Sequence, residues 1–169
     1  MKPLALVTTA FVVLAVSAFT LSDGASNQTA EPAFATVAHD GQEIYLTRCT
    51  SCHQMSGEGV PGVFPPLKES PFVTGDKGRL IRVLLNGLSG EVEVNGVTYS
   101  GMMPPWGSFL DDQQVADVLT YIRSNFGNSA EAVTAAEVAA VRAVVKDRKD
   151  TWTVEQLEAE GNHGIPGGD

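Results

Sequence analysis

Both cysteines of this chain fall inside one pentapeptide, Cys49-Thr50-Ser51-Cys52-His53, which confines all of its cysteine chemistry to a single place. Two cysteines in 169 residues give no disulfide framework. A metal site would want further cysteines or histidines nearby, and His39 and His163 are remote along the chain. A redox dithiol of the thioredoxin kind expects a βαβ setting, whereas here a helical pattern precedes the pair and a proline-rich segment follows it. The pattern fits covalent haem best. Two thiols three positions apart reach the two vinyl groups along one porphyrin edge, and the histidine directly after the second thiol becomes the proximal iron ligand. One covalently attached haem c on Cys49, Cys52 and His53 is therefore expected.

The amino terminus agrees with the place where such attachment happens. Met1-Lys2 precedes an uncharged run from Pro3 to Leu21, the layout of an export signal, so residues 1–21 are read as a signal peptide or a membrane anchor. Val16-Ser17-Ala18 suits cleavage, while the run approaches the roughly 20 residues that span a bilayer. An exported protein in the periplasm or on the outer face of the cytoplasmic membrane is expected, touching the membrane only through that segment. The formal charge of −9 excludes nucleic acid as a natural target and calls for partners with a basic docking surface.

Residues 22–40 are small, polar and aperiodic, and read as a flexible linker. A helix is expected from Gly41 to Arg48, running into the cysteine motif. Pro61, Pro65, Pro66 and Pro71 then prevent continuous helix. Asp76 is placed to cap a helix through Leu85, with Gly87 as a left-handed stop. Glu91–Val94 and Val97–Tyr99 alternate about Asn95-Gly96, a hairpin signal. Asp111 with Gln114 starts a helix carrying Val115, Val118, Leu119 and Ile122, ahead of Gly127. Two more capping boxes, Thr134 with Glu137 and Thr153 with Gln156, predict short helices in residues 129–169, with the end from Gly161 disordered. The apolar face of Val138, Val141 and Val145 docks on this domain or on a partner subunit.

Over Gly41 to Asn128 the chain resembles the class I cytochromes c. Gly41-Gln42-Glu43-Ile44-Tyr45 is similar to that family's first helix, which packs on its last, here Val118 and Tyr121. The resemblance implies an all-α fold around one haem in residues 41–128, with a short β-hairpin inserted and a helical extension over 129–169. It implies that the Pro65 carbonyl accepts the histidine ring N–H, that Leu67 lines the haem, and that Met103, before Pro104-Pro105-Trp106, is the sixth ligand, Met102 being its nearest rival. Leu80 and Leu84 join the expected pocket, and Tyr99 and Trp106 are candidates to reach a propionate.

With His53 and Met103 as the metal ligands, no coordination place is left for substrate, so the expected function is one-electron transfer between periplasmic or membrane redox partners, not catalysis. Two alternatives stay open: a cytochrome subunit of a dehydrogenase, oxidase or nitrite reductase complex, and a haem enzyme or gas sensor in which Met103 is displaced.

Overall fold

The computed structural model describes residues 34–159 and 162–167. The expected signal or anchor, residues 1–21, lies outside them, as does most of the expected linker. Helix α1, Phe34–Arg48, begins ahead of Gly41, so residues 34–40, read above as linker, are helical. The motif itself forms the short helix α2, Thr50–His53. After a turn-rich segment come α3, Pro71–Thr74, and α4, Lys77–Asn86. The hairpin follows as β1, Leu88–Val94, and β2, Val97–Met103. The remaining helices are α5, Asp112–Ser124; α6, Ala135–Val145; and α7, Val154–Glu158. The fold is thus mainly helical, and all-α describes it only approximately because of the antiparallel hairpin.

Local sequence accounts for most boundaries. The Asp76 carboxylate accepts the Arg79 amide at the start of α4, satisfying a donor that the helix leaves orphaned. Capping boxes open α5, α6 and α7, each with its side chain and backbone bonds both present. Asn95 and Gly96 hold φ of 53° and 77°, the positive pair that a two-residue hairpin turn requires. Gly87 also takes positive φ, but with ψ of 173° it leads into β1 rather than curling into a left-handed cap.

The helices share one core. Tyr45 of α1, Ile81 of α4 and Val115 and Val118 of α5 are buried together, and Val138 and Val141 of α6 and Leu157 of α7 belong to the same cluster. The apolar face of the extension therefore docks on its own domain. Burying a valine side chain contributes about 1.5–3 kcal/mol as an upper bound, a sufficient reason for α6 to fold back. The hairpin carries a smaller cluster of Val92, Val94 and Tyr99, packed by Phe72, Leu88 and Val154.

The expected disordered end is corrected for residues 162–167. The Gly164 N–H donates to both Asp76 carboxylate oxygens at 3.0 Å, and Arg82 donates to the Gly164 carbonyl at 3.0 Å. Ile165 packs on the core. The Asp76 carboxylate has lone pairs to spare after capping α4, and it spends them on a segment 88 positions away.

Candidate haem site

The turn-rich segment after the motif is built to present His53. The His53 Nδ1 lies 3.0 Å from the Pro65 carbonyl oxygen. A carbonyl can only accept, so Nδ1 carries the proton and donates, which leaves the Nε2 lone pair as the nitrogen available to a metal. Burial lowers the His53 pKa, opposed by this hydrogen bond, a shift in the direction of the neutral ring that a ligand must be. The Tyr45 hydroxyl donates to the Gln54 carbonyl at 2.5 Å, and the Gly59 N–H donates to the His53 carbonyl at 3.0 Å. Gly59 holds φ of 64°, and a Cβ there would stand 2.7 Å from the Pro65 carbonyl oxygen that His53 uses. A side chain at this position would push away the acceptor that orients the imidazole. Sequence reading passed over Gly59 and the Tyr45 hydroxyl, because neither signal exists until the loop is closed in space.

Cys49, Cys52, His53, Pro65, Leu67 and Met103 all line one cavity of about 400 Å³, within the usual range for a cofactor pocket. Leu80 and Leu84 of α4, Leu119 and Ile122 of α5, and Val92, Val94 and Tyr99 of the hairpin supply apolar walls, and Trp106 also borders it. The Arg48 guanidinium stands 5.9 Å from the Trp106 ring centroid at the same cavity. Two free thiols placed to bond the vinyl groups of a porphyrin, together with the imidazole of His53 and the thioethers of Met102 and Met103, border a mainly apolar space, a set that suits an iron porphyrin.

Strand alternation separates the two methionines. Met103 pairs with Leu88 and packs on the core, whereas Met102 pairs with Ser89 and is 70% exposed, although it too borders the cavity. Both residues end strand β2. Met55 is 75% exposed, and His163 is exposed.

The Cys49 thiol lacks the character of an activated redox cysteine. Burial, and then the neighbouring Cys52, push the Cys49 thiol up to about 11. Activated redox cysteines have lowered pKa values. Among the described residues no cluster of three or more His, Cys, Asp or Glu is arranged to hold a bare metal ion.

The sequence profile of the cytochrome c family matches residues 38–126. The chain belongs to the cytochrome c family. Its cofactor is covalent haem c, and it is a monohaem c-type cytochrome of the electron-transfer kind. It is 40% identical over 125 residues to cytochrome c-552 of Thermus thermophilus, covering 72% of this chain and 93% of that one. It is 38% identical over 107 residues to the gluconate 2-dehydrogenase cytochrome c subunit of Pantoea cypripedii, and 36% identical over 110 residues to the cytochrome c subunit of the quinone alcohol dehydrogenase of Gluconacetobacter polyoxogenes. These matches cover 60% and 63% of this cytochrome but only 24% and 23% of the two subunits, so it corresponds to about a quarter of each.

Proposed function

We propose that this cytochrome is an exported one-electron carrier whose haem is bonded to Cys49 and Cys52 and whose iron lies between His53 and Met103. The observation that carries this reading is the His53–Pro65 hydrogen bond beside a cavity that both thiols and the Met103 thioether also line. When bound, the group supplies reversible one-electron chemistry at iron. The chain's residues do the rest. His53 offers Nε2 in a fixed tautomer, Met103 offers a soft donor that favours the ferrous state, and the leucine and valine walls exclude water.

The redox partners carry a basic docking surface. Glu58, Glu91 and Glu93 are exposed, and the formal charge is −9, so association is steered by charge and slowed by salt. Export follows from residues 1–21, whether they are cleaved or kept as an anchor; no described helix is long and apolar enough to cross a membrane. The dehydrogenase subunits among its relatives favour a second reading, in which this cytochrome receives electrons from a periplasmic dehydrogenase.

Co-expression with the haem-attachment machinery tests the proposal. One haem per chain that resists acid-acetone extraction is expected, with a methionine-to-iron charge-transfer band in the ferric protein. Extractable haem, or a ferric spectrum without that band, refutes the ligand set.

A further inference from the structure

Pro104 and Pro105, which follow Met103, have no amide hydrogen, so the chain leaving the site cannot extend a hydrogen-bonded ladder. Its first anchors come from α4: the Trp106 and Gly107 amides donate to the Leu84 and Leu85 carbonyls at 2.9 and 3.0 Å. The next come from outside the family region. Arg142 of α6 donates through Nη1 to the Gly107 carbonyl and through Nη2 to the Leu110 carbonyl at 2.9 Å, while its Nε pairs with Asp112 at 2.6 Å.

The same extension also holds the strand that pairs with Met103. Leu88, the β1 residue opposite Met103, has the outer edge of its strand covered by Trp152. The Ser89 amide donates to the Trp152 carbonyl at 2.8 Å, and the Trp152 amide donates to the Gly87 carbonyl at 3.1 Å. The Ser89 and Thr151 hydroxyls meet at 2.8 Å, and the Arg148 guanidinium covers the Trp152 ring at 3.5 Å.

We propose that the carboxy-terminal extension is the positioning element for the sixth ligand, with Arg142 holding the chain that follows Met103 and the Thr151–Trp152 segment holding the β1 residues opposite it, so that the thioether resists displacement. The proposal rests on the reading of Met103 as that ligand. Arg142 touches neither cofactor nor reacting atoms and is a positioning residue. In this proposal the thioether gives way to an incoming ligand when residues 103–110 swing out. That opening must break charge-assisted bonds to two carbonyls, so the clamp lowers the population of the open state.

The test uses the full-length ferric holoprotein titrated with imidazole, read by loss of the methionine-to-iron charge-transfer band. Arg142→Gln is expected to bind imidazole about tenfold more tightly than the parent, by losing its charged hydrogen bonds to the loop. Thr151→Val, a mild change that removes the hydroxyl contact with Ser89, should tighten binding about threefold. This second variant carries the comparison if Arg142→Gln does not fold. Lys77→Met is the control: it breaks the 3.0 Å pair with Glu137, which fastens the start of the same α6 helix to α4. It should lower the unfolding midpoint and leave imidazole affinity unchanged.

Equal affinities in parent and clamp variants, all showing the band, overturn the proposal while sparing Met103 ligation. Tighter binding in Lys77→Met in proportion to its lost stability overturns it too, since general loosening then explains the effect. A parent without the band removes the Met103 reading itself, and the proposal falls with it.

Discussion

Replacing Gly41 by alanine sets two opposed effects against each other, and their sizes decide the outcome. In an isolated helix the change stabilises by roughly 1 kcal/mol, because glycine is a poor helix former. In α1, however, a Cβ at position 41 would stand 2.2 Å from the Asp117 carbonyl oxygen and 2.9 Å from the Tyr121 Cβ. Relaxed non-bonded contacts lie at about 3.5 Å or more, so the α1 and α5 backbones would have to part by about 1 Å. That gap opens where Tyr45 and Val118 are 0% and 1% exposed and where the Tyr45 and Tyr121 rings sit 5.6 Å apart. A gap of that size forfeits about a quarter to a half of the dispersion well for each lining atom. Overpacking of this kind costs about 1–3 kcal/mol or somewhat more, so clash outweighs propensity. We expect Gly41→Ala to lose about 2 kcal/mol net, a sizeable part of a typical stability of about 5–15 kcal/mol. Urea unfolding of the ferric holoprotein, followed by far-ultraviolet circular dichroism, measures it. An unchanged or higher midpoint at constant slope would show that the two helices yield at no cost, and the close-approach argument would be wrong.

Met103→Ala should abolish the charge-transfer band and admit imidazole or cyanide, whereas Met102→Leu should keep the parent spectrum; the reverse pattern would make Met102 the ligand. Asn128 ties the loop before α3 to the end of α5, accepting from the Glu69 amide at 2.8 Å and donating to the Leu67 and Ile122 carbonyls at 3.0 and 2.8 Å. Asn128→Ala should cost about 2–4 kcal/mol in urea unfolding, since it leaves buried groups unpaired; a loss indistinguishable from that of an exposed site refutes this. For Glu137, burial raises the pKa, but the Thr134 and Lys77 bonds outweigh it and hold the carboxyl below its ordinary 4.5. Its stabilisation is complete above about pH 4.5 and is lost as pH falls through the lower folded value. Glu137→Gln should flatten that part of the stability–pH curve, and superimposable acid-unfolding curves would exclude the effect. Electron transfer with a basic redox protein should slow as ionic strength rises, because exposed charges are screened beyond roughly 10 Å at 0.1 M salt; rates that are flat with salt would remove charge steering.

What could be read in advance, and what could not, divides along a physical line. The motif, the Asn95-Gly96 turn and the caps at Asp76, Asp111, Thr134 and Thr153 are short-range devices, in which a residue's chemistry acts on backbone a few positions away, so the local sequence already contains both partners. The parts that escaped reading join distant segments through main-chain groups, which every residue has and no residue type advertises. Arg123 is an example. It looks like a solvated charge in the last turn of α5, yet it is 3% exposed and donates to the carbonyls of Val73, Gly75 and Glu131. Arg142 on the Gly107 and Leu110 carbonyls and Gly164 on Asp76 have the same character, and Trp152 on β1 does so through its own backbone. Composition also misleads in the tail, where glycine and proline suggested disorder although the Gly164 carbonyl answers a buried guanidinium at Arg82. A buried arginine needs acceptors: carbonyls of turns and extensions supply three to Arg123 and one to Arg82, whose Nε stays without a partner. The cavity's donor set is therefore written in side chains and legible early. The surroundings of Met103 are made by hydrogen bonds to backbone groups, and they become visible only when Arg142 is seen on the Gly107 and Leu110 carbonyls and Trp152 on Gly87 and Ser89.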